Sequence, residues 1–412
     1  MTRAGTLVVL GGADGSVSTY LRARQLGHRT LCVDYRDTAP AVAVADEFLR
    51  VSVREPERIA AALHGRDDVV GVLCPASDVG LAAQAWLTRH WGLPHPLPAA
   101  ALAASVDKPA FRRVLDALDL PRYGSVEGRP DAGLAARAAR LSLPVLVKPV
   151  GASGSRGIEL LDDVEGLPAA FARAVAHSPS GRLIVEEFVP GVPLSVEALV
   201  VAGAIAFHAV TRRTVTPPPQ WVTTSHRTPA GLPPAADAAL ARQLHAVCAA
   251  LDYRNGPLTA DAVLTADGQV RLIELAARPG GNGLAELVES AYGVDLVGAT
   301  LALATGGTPA LEAQAPRHRA ALMLTAADAG RVLGLRGVEQ VRALPAVERL
   351  HLFVAEGSPV RRYEQAGDKL GYLLLRGDSA ADLRRAERLV EDLLDLRIGA
   401  PYDALLDDAA VG

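Results

Sequence analysis

The sequence Pro144-Val-Leu-Val-Lys148-Pro149 leads into the loop Gly151-Ala-Ser-Gly-Ser-Arg-Gly157 in this chain of 412 residues. The first segment predicts a strand, because its apolar run is interrupted only by Lys148. Three glycines and two serines in the loop allow backbone N–H groups and hydroxyls to close over an anion. A lysine in an apolar strand needs a counter-charge, and a polyphosphate would supply one. The alternative is a flexible hairpin loop with Lys148 reaching to solvent.

A second stretch, from Leu258 to Glu274, contains two carboxylates and predicts a β-hairpin. The dipeptide Asp267-Gly268 favours a two-residue turn, which makes Asp261 and Glu274 direct cross-strand neighbours. Two carboxylates at about 5 Å repel unless a positive group lies between them. Mg²⁺ suits such a site, since one or two carboxylates plus substrate phosphates typically hold it. The alternatives are neutralisation by Arg278 or the lysines and, after a one-residue register slip, two unrelated solvated acids.

The N-terminal part alternates predicted strands with predicted helices, which indicates a doubly wound parallel sheet. The strands are Thr6–Leu10, Thr30–Val33 and Val69–Cys74, and the helices are Ser16–Gly27, Pro56–His64 and Asp78–Trp91. The turn Gly11–Gly15, with Asp34 further on, partly matches a dinucleotide-binding fingerprint without satisfying its spacing. The alternative is a tight strand-to-helix turn.

Three domains are expected from the rest of the pattern. A helix over Asp107–Leu118 is followed by strands at Arg182–Val189 and Leu194–Ala202, and the Pro- and Thr-rich segment Thr211–Pro234 predicts a long loop. We expect an α/β N-terminal domain at residues 1–100, a central domain at 101–305 with a lid near 140–200, and an α+β C-terminal domain at 306–412.

The composition is that of an ordinary globular protein, with 50% hydrophobic and 21% charged residues and a net charge of −4. This charge argues against nucleic acid or an anionic membrane as the main partner. No apolar run reaches the roughly 18 residues of a membrane span. The run Leu7–Leu10 is too short for a signal-peptide core, so we expect a cytoplasmic protein.

Together these motifs resemble the ATP-grasp superfamily, from the N-terminus to about residue 305. Within it, the ending Glu274-Leu-Ala-Ala-Arg278-Pro-Gly280-Gly281 and the C-terminal stretch Gly371–Asp378 look most like the amino-acid ligases that form dipeptides. Further matching stretches are Asp107-Lys108, the Lys148 strand with its loop, Glu186-Glu187-Phe188-Val189-Pro190-Gly191, and Ser195-Val196-Glu197.

The resemblance implies a nucleotide site for ATP. Lys108 and Lys148 would contact the phosphates, and Glu186 to Val189 would form a hinge whose backbone reads adenine, with Glu186 near its amino group. The lid loop would contribute five small residues, Gly151, Ser153, Gly154, Ser155 and Gly157, and the hinge would consist of Glu186, Glu187, Phe188 and Val189. Considered singly, Glu186-Glu187 could be an exposed strand end and Asp107-Lys108 a helix cap with a surface lysine.

The resemblance also implies the metal and the catalytic residues. Asp261 and Glu274 would ligate Mg²⁺, or Mn²⁺ in its place, and Arg278 with the Gly280-Gly281 backbone would hold the substrate carboxylate and stabilise the acyl phosphate. Glu197 would lie near the reacting centre unless it is a solvated strand residue. His226 aligns with a histidine of the substrate-side loop, where a solvated role is the alternative.

Two positions depart from the family pattern. Ala276 stands where many relatives have an asparagine metal ligand, and Pro193 stands where relatives usually have a ribose-binding glutamate. We therefore expect an ADP-forming ligase that joins small-molecule carboxylates to amines, with a homodimer possible. The alternatives are an ATP-dependent carboxylase or formyltransferase of purine-pathway type, and a nucleotide-binding protein without turnover.

Overall fold

The computed structural model describes residues 5–75, 77–151, 157–218 and 220–399 in two compact units. Unit 1 contains the chain up to Tyr123 together with Val189–Val210 and Leu232–Gln314. Unit 2 contains Gly124–Phe188, Thr211–Gly231 and the chain from Ala315 onward. The predicted domain boundaries at 100 and 305 stay a prediction.

Unit 1 begins with a parallel sheet, as the sequence predicts. Its strands lie in the order β3-β2-β1-β4, and a core that includes Leu7, Val9, Tyr20 and Leu301 packs against them. The elements are β1 (Thr6–Leu10), α1 (Val17–Gln25), β2 (Arg29–Val33), β3 (Glu47–Leu49), α2 (Pro56–Ala62), β4 (Val69–Leu73), α3 (Leu81–His90), α4 (Ala99–Val106) and α5 (Lys108–Ala117). Asp107 caps α5 by accepting a hydrogen bond from the Ala110 N–H at 3.0 Å, which confirms the predicted N-cap.

Unit 2 contains a four-stranded antiparallel sheet in the order β5-β8-β6-β7. Its elements are β5 (Ser125–Gly128), α6 (Ala132–Ala138), β6 (Val145–Pro149), β7 (Glu159–Leu161), α7 (Leu167–Val175) and β8 (Leu183–Glu187). Leu134 from α6 and Phe171 from α7 are buried against Val145, Val147 and Val185 of the sheet. The predicted strand around Lys148 is therefore a central strand with a packed apolar face.

An antiparallel sheet in unit 1 includes the predicted hairpin. The next elements along the chain, of which β11 and the end of β10 belong to unit 2, are β9 (Val192–Val201), β10 (Ala204–Val215), β11 (Thr223–Thr228), α8 (Pro234–Ala250), β12 (Gly256–Leu264), β13 (Val270–Ala276), α9 (Leu284–Tyr292) and α10 (Leu296–Ala304). β12 pairs with both β9 and β13, so that β13 is an edge strand. Edge strands present carbonyl groups that need partners outside the sheet.

The prediction of a long loop over Thr211–Pro234 is wrong. Residues 211–215 end β10, residues 223–228 form β11, and α8 begins at Pro234. β11 pairs with β10 on one side and with the following strand on the other. Buried threonines such as Thr223 and Thr228 explain the error, because β-branched residues favour a packed strand as readily as they occur in loops.

The C-terminal part of unit 2 is α+β, as expected. Its elements are β14 (Arg319–Leu324), β15 (Gly330–Arg336), α11 (Val338–Arg342), β16 (Val347–Leu352), β17 (Pro359–Val360), β18 (Gly371–Arg376), α12 (Ala380–Leu393) and β19 (Asp395–Gly399). Strands β11, β14, β18 and β16 are successive neighbours, and β17, β15 and β19 form a small separate sheet. In the described part of the chain, no single helix is long and apolar enough to cross a membrane; α9 and α10 pass that test only as a pair bent by 112°.

Candidate active site

The paired carboxylates of unit 1 lie where the hairpin prediction puts them. Asp261 on β12 is the direct cross-strand partner of Glu274 on β13. The Ser195 hydroxyl on β9 donates to Asp261 Oδ1 at 3.1 Å. Lys108, the first residue of α5, donates from Nζ to Glu274 Oε1 at 3.2 Å. Three strands and one helix thus place two carboxylates, a hydroxyl and an ammonium together.

The predicted turn, by contrast, is wrong. The loop contains three residues, Ala266 to Gly268, and is closed by a hydrogen bond from the Thr265 N–H to the Gln269 carbonyl at 2.9 Å. Gly268 has a φ of +79°, which suits the left-handed position of such a loop. The pairs that follow, Leu264 with Val270 and Ala262 with Leu272, are one residue out of the predicted register.

A β-bulge restores the carboxylate pair. The register shifts between Asp261 and Ala262, where β13 has the additional residue Ile273. Asp261 consequently pairs with Glu274. In an unbroken ladder Asp261 would pair with Ile273, and Glu274 would lie on the opposite face of the sheet. The pairing is confirmed, although its cause is a longer loop compensated by a bulge.

A second lysine–glutamate pair lies in unit 2. Lys148 on β6 is 7% exposed, Glu186 on β8 is 0% exposed, and the Nζ–Oε2 distance is 2.6 Å. Because Lys148 is directly opposite Ile184, Glu186 is its diagonal neighbour two positions along β8. This burial excludes both a solvent-directed lysine and an exposed strand end at Glu186.

The predicted hinge residues have several protein partners. The Glu187 carboxylate accepts hydrogen bonds from the N–H groups of Gly124 and Ser142, both at 2.8 Å. The backbone N–H groups of Glu187 and Phe188 donate to carbonyls within unit 2, at 2.9 Å each. The Phe188 ring stacks on Trp221 with centroids 5.9 Å apart. Val189, which begins the next segment of unit 1, is buried.

Glu197 is buried in unit 1 and holds two neutral donors. Its carboxylate accepts from the Thr259 hydroxyl at 2.6 Å and from the Gly280 N–H at 2.9 Å. Burial raises the pKa of Glu197 to about 7, against the lowering effect of these hydrogen bonds and of the Arg278 charge. A Cβ at position 280 would lie 2.2 Å from Glu197 Oε1, so only glycine allows this approach. Glu197 is therefore not a solvated strand residue.

Arg278 is paired with an acid that the sequence did not single out. Its Nε donates to Asp78 Oδ1 at 2.6 Å, and its Nη1 donates to the Pro279 carbonyl at 2.9 Å. Asp78 follows β4, at the carboxyl edge of the parallel sheet where ligands bind in such folds. Arg278 lines a cavity of about 40 Å³ with Thr19, Gln84 and Gly280.

His226 is a strand residue of unit 2 and not a loop residue. It is buried in β11, and its Nδ1 is 3.1 Å from the Thr211 hydroxyl. Burial, together with the nearby Arg213 charge, lowers the pKa of His226 to about 3. The imidazole is therefore neutral at physiological pH, and the solvated alternative is excluded.

The chain has two glycine-rich turns, one after β1 and one after β6. In the first, the Gly12 N–H donates to Asp34 Oδ2 at 2.9 Å, and Arg36 also pairs with this carboxylate at 3.0 Å. The carboxylate that a dinucleotide would need is thus engaged, which favours the tight-turn interpretation. In the second, Gly151 and Gly157 have φ values of +81° and +68°. Ser153, Gly154 and Ser155 lie outside the described residues.

The metal site predicted from the resemblance consists of two protein carboxylates. Within residues 5–75, 77–151, 157–218 and 220–399, no group of three or more His, Cys, Asp or Glu side chains could hold a metal ion. Ala276 adds no ligand. Two opposed carboxylates suit Mg²⁺, which retains water and phosphate oxygens for its other positions. The donor set of Asp261 and Glu274 therefore fits the predicted ion.

Two family models match this chain. The ATP-grasp domain matches residues 141–286, and the L-amino acid ligase C-terminal domain 2 matches residues 322–399. The chain contains an ATP-grasp domain. The predicted superfamily and fold are confirmed, and these matches support the predicted class of enzyme, an ADP-forming ligase that makes C–N bonds.

Curated relatives and solved structures are also similar to this chain. An uncharacterized protein of Sinorhizobium fredii is 28% identical over 82% of this chain and 70% of its own length. A formate-dependent phosphoribosylglycinamide formyltransferase of Prochlorococcus marinus is 31% identical over 44% of this chain, which spans about half (47%) of that relative. The structure of an L-amino acid ligase from Bacillus licheniformis has a TM-score of 0.80 at 19% identity, covering 97% of this chain and all of the other.

A nucleotide complex is also among the structural neighbours. The ADP complex of an N5-carboxyaminoimidazole ribonucleotide synthetase has a TM-score of 0.78 at 19% identity, covering 95% of this chain and 97% of the other. At this identity the likeness shows the fold. ATP and Mg²⁺ are the general cofactors of the ATP-grasp class.

Proposed function

We propose that this ATP-grasp ligase phosphorylates the carboxylate of a small acid, an amino acid first of all, and couples the acyl phosphate to an amine. The observation that carries the proposal is the direct pairing of Asp261 with Glu274, with Lys108 on one of the two. The C-terminal match to an L-amino acid ligase domain supports amino acids as substrates. The products would be an amide or peptide, ADP and phosphate.

The charged pairs would change partners when ATP binds. Asp261 and Glu274 would hold Mg²⁺, or Mn²⁺, which neutralises phosphate charge when bound. Lys108 and Lys148 would turn from Glu274 and Glu186 to phosphate oxygens. Gly151, Ser153, Gly154, Ser155 and Gly157 would form the lid over those phosphates.

The segment from Glu186 to Val189 would read adenine. Because the N–H groups of Glu187 and Phe188 already donate within unit 2, we assign the adenine-reading N–H to Val189. Glu186 would accept from the adenine amino group, and the Glu187 carboxylate would keep the hinge folded through Gly124 and Ser142.

The acid would be oriented by Arg278. A planar guanidinium offers a fork of donors for a carboxylate or acyl phosphate, and Asp78 holds that fork in place through Nε. Glu197 would hold the Gly280 backbone beside the Arg278 fork by accepting its N–H. A catalytic role for His226 would require a neutral imidazole, in accord with a pKa of about 3.

The proposed reaction has two bond-forming steps. A carboxylate oxygen attacks the γ-phosphorus of ATP, the bond to the bridging oxygen breaks, and ADP leaves. The amine nitrogen then attacks the acyl carbon, loses a proton, and phosphate departs with the C–O bonding pair. Catalysis would come mainly from positioning and charge neutralisation.

The test is incubation with Mg-ATP and pooled amino acids, followed by mass spectrometry of the products. We expect ADP and dipeptide in equal amounts, and neither product with Asp261→Asn. Release of AMP in place of ADP, or dipeptide formed without ATP, would refute the proposal. A homodimer also stays a prediction, which light scattering of the purified chain can check.

A second candidate function is ATP-dependent formylation of a small metabolite. It is favoured by the 31% identity to the formate-dependent formyltransferase over 192 residues. The same assay with formate and an amine as co-substrates discriminates the two. ADP release that depends on formate and not on an amino acid would favour this candidate.

A further inference from the structure

The metal-site carboxylates face each other only because of the bulge at Ile273. The three-residue loop fixes a register in which Leu264 pairs with Val270 and Ala262 pairs with Leu272. If this register continued, Asp261 would pair with Ile273, and Glu274 would lie on the opposite face of the sheet from Asp261. A bulge interrupts the ladder and leaves backbone groups without their usual cross-strand partners. Something outside the ladder must satisfy them.

Arg112 on α5 supplies the missing donors. Its Nη1 donates to the Leu272 carbonyl at 3.2 Å, and its Nη2 donates to the Ile273 carbonyl. Successive carbonyls of a regular strand point in opposite directions. The carbonyls of Val270 and Leu272, two residues apart, therefore point to the same side, and the Val270 carbonyl accepts a hydrogen bond from Gln243 of α8 at 3.0 Å. In a regular strand the Ile273 carbonyl would point to the other side. The bulge turns it to the side of the Leu272 carbonyl, where Arg112 donates to both oxygens.

The Arg112 guanidinium is held firmly in this position. Arg112 is 6% exposed, and its guanidinium carbon lies 4.3 Å from the centroid of the Tyr123 ring. Lys108 lies one turn earlier on the same helix, so both cations are on one helical face. One of them binds the backbone at the bulge and the other binds the Glu274 side chain.

We propose that Arg112 is a positioning residue for the metal site, which acts by locking the bulge at Ile273 so that Asp261 and Glu274 stay opposed. This inference rests on the proposed function, because it takes these two carboxylates as the Mg²⁺ ligands. The contacts of Arg112 that carry this role are to the backbone of the ligand strand. Its action is thus on metal affinity, through the register.

The first experiment compares Arg112→Met with Arg113→Met, which removes a positive charge from the next, exposed position of α5. Mn²⁺ binding in the presence of ADP is titrated by electron paramagnetic resonance, which needs no turnover. We expect Arg112→Met to weaken Mn²⁺ binding by about 10- to 100-fold, the range for partners that orient metal ligands. Arg113→Met should bind as the wild type does.

The second experiment removes the bulge itself. Deletion of Ile273 would bring Glu274 opposite Asp261 in an unbroken ladder and leave the earlier and later pairs as they are. Such a chain no longer needs Arg112 to set the register. The combination of the deletion with Arg112→Met should therefore bind Mn²⁺ to within about threefold of the deletion alone.

These outcomes separate the inference from the proposed function. If wild type fails to bind Mn²⁺ with ADP, or Asp261→Asn binds it equally well, the proposed metal site is wrong. If Asp261→Asn abolishes binding while Arg112→Met leaves it unchanged, the metal site stands and the role of Arg112 is refuted. If Arg112→Met alone does not fold, the combined variant decides: Mn²⁺ binding equal to the deletion alone supports the role, and binding lost only on adding Arg112→Met contradicts it.

Discussion

The chain contains two lysine–glutamate pairs of the same composition in different surroundings. Lys148 and Glu186 in unit 2 are 2.6 Å apart, with side chains 8% and 1% exposed. Lys108 and Glu274 in unit 1 are 3.2 Å apart, with side chains 15% and 40% exposed. In the buried pair each charge is compensated mainly by the other, because water does not reach it. In the open pair water compensates both charges in part.

The same two residue types are therefore closed to solvent in unit 2 and open to it in unit 1. Loss of Glu186 deprives the buried Lys148 ammonium of the carboxylate 2.6 Å away. Loss of one member of the Lys108–Glu274 pair leaves a charge that solvent can reach. The open pair is thus the easier one for a metal ion and phosphates to enter.

The largest expected effect is that of Glu186→Gln. The buried Lys148 ammonium would lose its counter-charge, and the free energy of unfolding should fall by about 3–5 kcal/mol. Urea denaturation followed by circular dichroism measures this. The control is Glu187→Gln on the same strand, which keeps an oxygen for one of its two backbone donors and should cost less. Equal losses in the two variants would contradict the special status of the buried pair.

Glu197 extends the comparison to a buried carboxylate with neutral donors. Its folded pKa of about 7 lies above the ordinary value of 4.5. Between these values the folded state binds more protons at Glu197 than the unfolded state, so the contribution of Glu197 to stability is complete below about pH 4.5 and is lost as pH rises through 7. The loss should reach about 3 kcal/mol.

The measurement is the free energy of unfolding of wild type and Glu197→Gln from pH 4 to pH 8. The glutamine can still accept from the Gly280 N–H and donate to the Thr259 hydroxyl, so its fold should be kept. The difference between the two proteins should change by the stated amount across that window. A constant difference would show that Glu197 does not titrate there.

Exchange of the lysines for arginine tests the phosphate assignments. Lys148→Arg keeps the charge but places a broad planar group in a closed site, so ATP turnover should fall at least about tenfold, or 1.4 kcal/mol. Lys108→Arg, at the open pair, should lose less. The kcat and KM for ATP of both variants check this, and near-normal kinetics of Lys148→Arg would count against its assignment.

The smallest expected effect is on stability at the open pair. Glu274→Gln should change the free energy of unfolding by less than about 1 kcal/mol, since exposed ion pairs contribute little. The same variant should lose metal binding. Urea denaturation beside a Mn²⁺ titration measures both, and a large loss of stability would show that the open pair is structural.

Local pattern was enough to predict much of this molecule. The parallel sheet, the Lys148 strand, the hairpin and the Asp107 cap each depend on residues close in sequence. The segment Thr211–Pro234 was misjudged because threonine suits both loops and buried strands, and only the pairing of β11 with its neighbours distinguishes them. Asp78 and Arg112 were missed because their partners are 200 and about 160 residues away.

The sequence by itself determined which charged groups had to be compensated: a lysine in an apolar strand and two acids on a hairpin. The tertiary structure decided what compensates them. Glu186 reaches Lys148 because β8 lies beside β6, and Asp261 meets Glu274 because a bulge reverses the phase that the loop sets. Strand order and register depend on contacts between distant segments, and a one-residue shift turns a side chain to the opposite face of the sheet.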